Sequence, residues 1–109
     1  MPQAEHPNAV APVFAALGDQ NRLSLLSQLS HGRARSIIEL TRGSGLTRQG
    51  VKKHLVILEQ AGVVFSVRVG RESRFALRRD GLTGAQIYLE RASKQWDDST
   101  RRLRTLIED

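Results

Sequence analysis

The sequence predicts a mainly α fold of about five helices with one two-stranded β-hairpin. Three observations carry this. Apolar residues recur at spacings of three and four as far as Leu58, which marks helices buried along one face. The pattern turns β-rich over residues 63–69 and 73–77, around Gly70-Arg71-Glu72. Helical spacing then resumes at Ala85 and holds to Leu106. A chain of 109 residues has room for one domain with a modest core.

Residues 1–8 are polar, contain two prolines and read as a flexible N-terminal arm ahead of a domain at residues 9–109. Pro12 suits the first turn of a helix, where its missing N–H costs nothing. Val13, Phe14 and Leu17 supply that helix's apolar face, and Gly18 ends it. Asp19 is the expected N-cap of a second helix, with Leu23, Leu26 and Leu29 facing inward and His31-Gly32 closing it. Ser36 caps a short third helix holding Ile37, Ile38 and Leu40, and Glu39 completes a capping box. Gly43-Ser44-Gly45 forms a tight turn, and Thr47 caps a fourth helix whose inward face is Val51, Leu55 and Leu58. Gly62 stops that helix. Gly70 takes φ > 0 in the hairpin turn, and beyond Gly81 a fifth helix runs to the C-terminus.

No apolar stretch approaches the roughly 18 residues of a membrane span. The opening MPQAEHPNAV has no basic start and no apolar signal core, so no export signal is expected. Cysteine is absent, which excludes disulfides and thiolate sites. These features together predict a cytoplasmic protein.

The formal net charge is +6, and its placement is informative. Residues 33–79 hold eleven Lys or Arg against Glu39, Glu59 and Glu72, a balance of +8, while the rest of the chain stands at −2. Charge alone leaves two readings, a patch for a polyanion and a solvated basic surface. The local pattern favours the first. Two short helices joined by a glycine turn, the second of them basic, describe a helix-turn-helix. Arg48, Gln49, Lys52 and Lys53 fall opposite the apolar face, near the end that a recognition helix pushes into the major groove. Arg and Lys donate to guanine O6 and N7, and Gln pairs with adenine N6 and N7. Gly50 lets the backbone approach DNA or the preceding helix. Arg68, Arg71, Arg74, Arg78 and Arg79 lie on or beside the hairpin, with Arg71 at its tip. Such a basic wing can follow the phosphate backbone or enter a minor groove. His54 admits two roles, a phosphate contact and a structural histidine. The expected DNA-binding set is Ser36, Thr47, Arg48, Gln49, Lys52, Lys53, His54, Arg71 and Arg74, within a winged helix-turn-helix.

The stretch FAALGDQNRL at residues 14–23 resembles the opening "ALxDpxR" segment of the ArsR family of winged-helix repressors. LTRQGVKKHLVILEQAGVV at residues 46–64 resembles that family's recognition helix and its exit into the wing, and GRESRFAL at residues 70–77 resembles the wing. The resemblance covers residues 10–107. It implies a homodimer that binds a palindromic operator, represses, and releases DNA on a signal. Gln49 and Gly50 replace the commoner Pro or Ala at the start of the recognition helix. Metal-sensing members carry cysteines on the third helix or histidine and carboxylate ligands on the last. Here the third helix has no cysteine and the last has no histidine, and His6, His31 and His54 lack ligand spacing. Glu90, Asp97 and Asp98 read as surface charges, so no metal and no cofactor is expected. The last helix, with Trp96 in IYLERASKQWD, resembles a metal-independent subgroup whose members often regulate neighbouring genes and their own.

A partner is also expected on physical grounds. Ala85, Leu89, Ala92, Trp96, Ser99, Leu103 and Leu106 recur at spacings of four and three, a coiled-coil-like stripe. Tyr88 and Ile107 widen it, and Phe14 and Leu17 complete the seam. The expected dimer interface is therefore Phe14, Leu17, Ala85, Tyr88, Leu89, Ala92, Trp96, Leu103 and Leu106. A twofold axis would set two recognition helices roughly 34 Å apart. The alternative is that the stripe packs on its own domain. Against an enzyme stand the absence of a cysteine nucleophile, of a GxxxxGK loop and of any arguable Ser/His/Asp set. A protein-binding winged helix and a nonspecific chromosomal or RNA binder are the other rivals. The basic head disfavours the first, and the scarcity of aromatics disfavours base stacking on single strands.

Overall fold

The computed structural model describes residues 7–108. The elements are α1 (Pro7–Leu17), α2 (Gln20–Leu29), β1 (Arg35–Ser36), α3 (Ile37–Thr41), α4 (Arg48–Gln60), β2 (Val64–Val69), β3 (Glu72–Leu77) and α5 (Arg79–Glu108). Most of the expected arm, His6 included, lies outside the described residues. Its last two residues already belong to α1, which opens at Pro7, where a proline is tolerated. Pro12 therefore sits inside the helix rather than in its first turn, on the exposed side.

The expected caps are in place. Asp19 accepts from the Arg22 N–H at 3.0 Å, and Thr47 Oγ1 accepts from the Gly50 N–H at 3.0 Å. Ser36 and Glu39 form the reciprocal capping box, each accepting from the other's N–H at 3.1 Å. One helical face differs from expectation. On α2 the inward residues are Leu25, Leu26 and Leu29, while Leu23 is 51% exposed. Arg22, not Leu23, takes the inward position one turn earlier, with a side chain only 15% exposed.

The sheet has three strands rather than two, in the order β1-β3-β2, all antiparallel. Arg35 pairs with Phe75 and Ser36 with Arg74. Two residues are too few to show alternation, so β1 is invisible to periodicity. In the wing, Val69 pairs with Glu72, which leaves Gly70-Arg71 as a two-residue loop. Gly70 has φ 64° and no non-glycine residue among those described has positive φ, which makes this a type II′ turn.

The core lies where α2, α3, α4, the wing base and the start of α5 converge. Leu25, Leu29, Leu40, Val51, Leu55, Leu58, Val63 and Val64 are its fully buried members, joined by Phe75 and Ala85. α4 ends in a Schellman motif. The Val63 N–H donates to the Leu58 carbonyl, and the Gly62 N–H to that of Glu59. Buried Leu58 and Val63 supply its apolar contact. α5 starts at Arg79, earlier than expected, so Gly81 falls in its first turn. There Gly81 packs so closely on the Gly62 carbonyl that a Cβ would overlap it. α5 then lies along α1, with the Phe14 and Tyr88 rings 5.9 Å apart. Past Ala92 every described side chain except Asp98 is exposed, and the molecule reaches 67 Å in its longest dimension.

Candidate nucleic-acid interface

α4 separates its residues cleanly. Val51, Leu55 and Leu58 are each 0% exposed, while Arg48, Gln49, Lys52 and Lys53 are all exposed. Four polar or cationic side chains therefore stand free on the N-terminal half of a helix held by three aliphatic anchors on the other side. The helix N-terminus adds unpaired N–H groups and a positive dipole end. Gly50 is partly enclosed. A Cβ at this position would lie only 3.3 Å from Thr47 Oγ1, so the missing side chain makes room for the cap.

On the wing, Arg68 and Arg71 are exposed, with Arg71 in the turn itself. Arg74 is less available than expected. Its Nε donates to Glu72 Oε2 at 3.0 Å. It also lines a shallow groove with Arg33, Ser36, Glu39, Arg42 and Glu72, between α3 and the wing. Arg33 in turn pairs with Glu39 at 2.7 Å.

Ser36, expected at the DNA face, is 3% exposed and its hydroxyl is engaged by the Glu39 N–H. It is the cap of α3 and not a free contact group. The Ser36 backbone N–H, with Arg33 beside it, holds the Glu39 carboxyl below the usual carboxylate range. Asp19 is lowered in the same way, chiefly by the Arg22 N–H.

His54 is half-buried at the flank of α4, with Nδ1 3.3 Å from Arg22 Nη1. Arg22 is pinned in turn. Its Nε donates to the Ala16 carbonyl at 2.6 Å and its Nη2 to that of Ala15 at 3.4 Å. Arg22 stands in the FAALGDQNRL segment and had no place in the expected site. The signal present was a lone cation within an otherwise uncharged α2.

The seam residues divide. Ala85 belongs to the protomer's own core and Ala92 is buried against the same chain, so neither is free for a partner. Phe14, Leu17 and Tyr88 are half-buried. Leu89, Trp96, Leu103 and Leu106 are exposed, as is Ile107. Among the described residues no group of three or more His, Asp or Glu stands close enough to hold a metal ion, and no helix is long and apolar enough to cross a membrane.

Known proteins share this fold. Residues 17–67 match the family model described as a helix-turn-helix domain. The HTH-type transcriptional regulator YuzN of Bacillus subtilis (strain 168) is 40% identical over 65 residues, covering 54% of this chain and 71% of YuzN. An ArsR-like transcriptional regulator from Rhodococcus sp. RHA1 is 33% identical, with 91% of this chain and 92% of that one superposed at a TM-score of 0.78. The chain belongs to the ArsR-like helix-turn-helix transcriptional regulators. A homodimeric winged helix-turn-helix DNA-binding domain from Mycobacterium bovis, 21% identical, shares the fold at a TM-score of 0.64 over 81% of this chain and 82% of that one. For an ArsR-like regulator, the cationic face of α4 and the arginine-tipped wing are the candidate surfaces for DNA.

Proposed function

We propose that this regulator is a homodimeric repressor of the metal-independent subgroup, acting in the cytoplasm by binding a palindromic operator rather than by catalysis. The observation that carries the reading is the exposed set Arg48, Gln49, Lys52 and Lys53 opposite three fully buried anchors on α4. Those four side chains read base edges and neighbouring phosphates in the major groove, with Thr47 at the groove wall. Arg71 follows the backbone or enters the minor groove, and Arg74 joins it by exchanging Glu72 for a phosphate. Support for the dimer comes from the exposed apolar residues of α5 and from the homodimeric M. bovis neighbour. Support for metal independence comes from the lack of cysteine in the chain and of histidine in α5.

Fluorescence anisotropy at fixed salt tests this. A duplex copied from the DNA upstream of the protein's own gene is expected to bind at least about a thousandfold tighter than a random duplex. Equal affinities would replace the specific regulator with a nonspecific binder. Lys53→Ala and Arg71→Ala are expected to weaken binding while the dimer persists, and unchanged affinity in both would relocate the reading head. A reporter driven by the same upstream DNA should fall when the protein is supplied; a rise would make it an activator.

A further inference from the structure

Resting on the DNA-binding reading above, we propose that Arg22 is a positioning residue that sets the His54 ring to donate a phosphate-binding hydrogen bond from Nε2. A guanidinium has donors only, so the contact between Arg22 Nη1 and His54 Nδ1 at 3.3 Å requires Nδ1 to be the acceptor. The ring proton then sits on Nε2. Arg22 is well placed to impose this. Nε and Nη2 are fixed on the Ala16 and Ala15 carbonyls at the C-terminal end of α1, and Asp19 Oδ2 lies 3.9 Å from Nη1. The direction of the remaining donor is therefore fixed by α1 and the α1–α2 turn rather than by α4.

The other side of the ring is available. Among the described residues His54 Nε2 has no hydrogen-bond partner, and it is not among the polar atoms sealed away from solvent. His54 directly follows exposed Lys53 and precedes buried Leu55, so it stands at the edge of the cationic face. It lies about 10 Å along the helix axis from Thr47, behind the N-terminal end of α4 that carries Arg48 and Gln49. The ligand chemistry that fits one such N–H is a phosphodiester oxygen. The contact serves position rather than base choice.

This contact has a signature that distinguishes it from the lysines around it. Cationic contacts release counterions, so losing one lowers the slope of log K against log salt by about 0.9, or about 1.8 for a symmetric pair. Losing the neutral His54 donor lowers affinity without moving that slope. With the upstream duplex as probe, His54→Ala is expected to bind about three- to tenfold more weakly at an unchanged salt slope, while Lys53→Ala loses slope as well. His54→Gln, whose amide N–H reaches the same place, should recover most of the loss. Arg22→Met should match His54→Ala, and the double variant should be no weaker than either. In the wild-type protein, nitrogen-15 spectra should show the His54 proton on Nε2 and a bare Nδ1. A proton on Nδ1, or a His54→Ala protein that binds like the wild type, overturns the inference and leaves the DNA-binding reading standing. A wild-type protein that ignores the duplex overturns that reading itself. Should Arg22→Met fail to fold, the ring spectra and the glutamine rescue decide.

Discussion

Ser36 illustrates how local hydrogen bonds decide what a side chain is free to do. Its hydroxyl and its N–H are both committed to Glu39, and the residue is closed off from solvent. Ser36→Ala is therefore expected to lower stability by about 1 kcal/mol, read as a fall in melting temperature, with DNA contacts affected only through α3. The partner carboxyl makes this box pH-dependent. Glu39 and Asp19 are both held below the ordinary carboxylate range, chiefly by backbone N–H donors. They take up protons later in the fold than in the unfolded chain. Their contribution is thus complete above the ordinary range and is lost as pH falls through the lowered values. Glu39→Gln keeps the reach to the Ser36 N–H but no longer titrates, so its melting temperature should fall less steeply on acidification. Parallel curves would show that the Glu39 charge contributes nothing. The caps at Asp19, Ser36 and Thr47 were legible in the sequence because each partner is three residues away. The commitments of Arg22 and Arg74 were not. His54 lies 32 residues from Arg22. Glu72, though two residues from Arg74, reaches it only because both sit on one strand of a hairpin.

Among the elements, legibility followed length and context. α4 showed its buried face plainly because Val51, Leu55 and Leu58 keep helical spacing over several turns. α2 misled at Leu23, since a run of leucines fits more than one face and only the packing of Arg22 against the end of α1 selects among them. The strand β1 could not be read at all, because its existence depends on β3 arriving beside it. The junction between α4 and α5 shows a close approach that spacing does not reveal. Gly81 was readable as a boundary; its contact with the Gly62 carbonyl was not. That contact ties the exit of α4 directly to the root of α5. Gly81→Ala would force a Cβ into backbone that cannot yield, at about 1–3 kcal/mol. The expected result is a lower melting temperature, together with weaker DNA binding as α4 shifts relative to α5. A variant of unchanged stability and affinity would mean that the junction is looser than the structure shows.

At the scale of the whole molecule, α5 is out of proportion to the domain it leaves. It runs for 30 residues, about 45 Å at helical rise, yet its protomer covers it only as far as Ala92. The seam read from the sequence is in fact two surfaces. Ala85 and Ala92 turn toward the protomer. Leu89, Trp96 and Leu103, each seven residues from the next, remain exposed with Leu106. A repeat of seven is the spacing at which two helices keep one seam in register. Trp96 is 60% exposed and is the largest side chain in that row. In the proposed dimer it is the natural anchor, and aromatic anchors at the centre of an interface contribute about 2 kcal/mol or more, roughly a thirtyfold change in dissociation constant. Sedimentation equilibrium across a protein dilution series should therefore show Trp96→Ala dissociating at concentrations where the wild type stays paired. Its melting temperature should also be lower and lose its dependence on protein concentration once the monomer predominates. Lys53→Ala should do neither. In the proposed dimer, with one protomer on each operator half-site, Trp96→Ala should also make the DNA titration weaker and steeper in protein concentration, because pairing then accompanies binding, whereas loss of a direct contact shifts the curve without steepening it. A Trp96→Ala protein that stays fully dimeric would move the interface off this row of α5, and with it the spacing between the two reading heads.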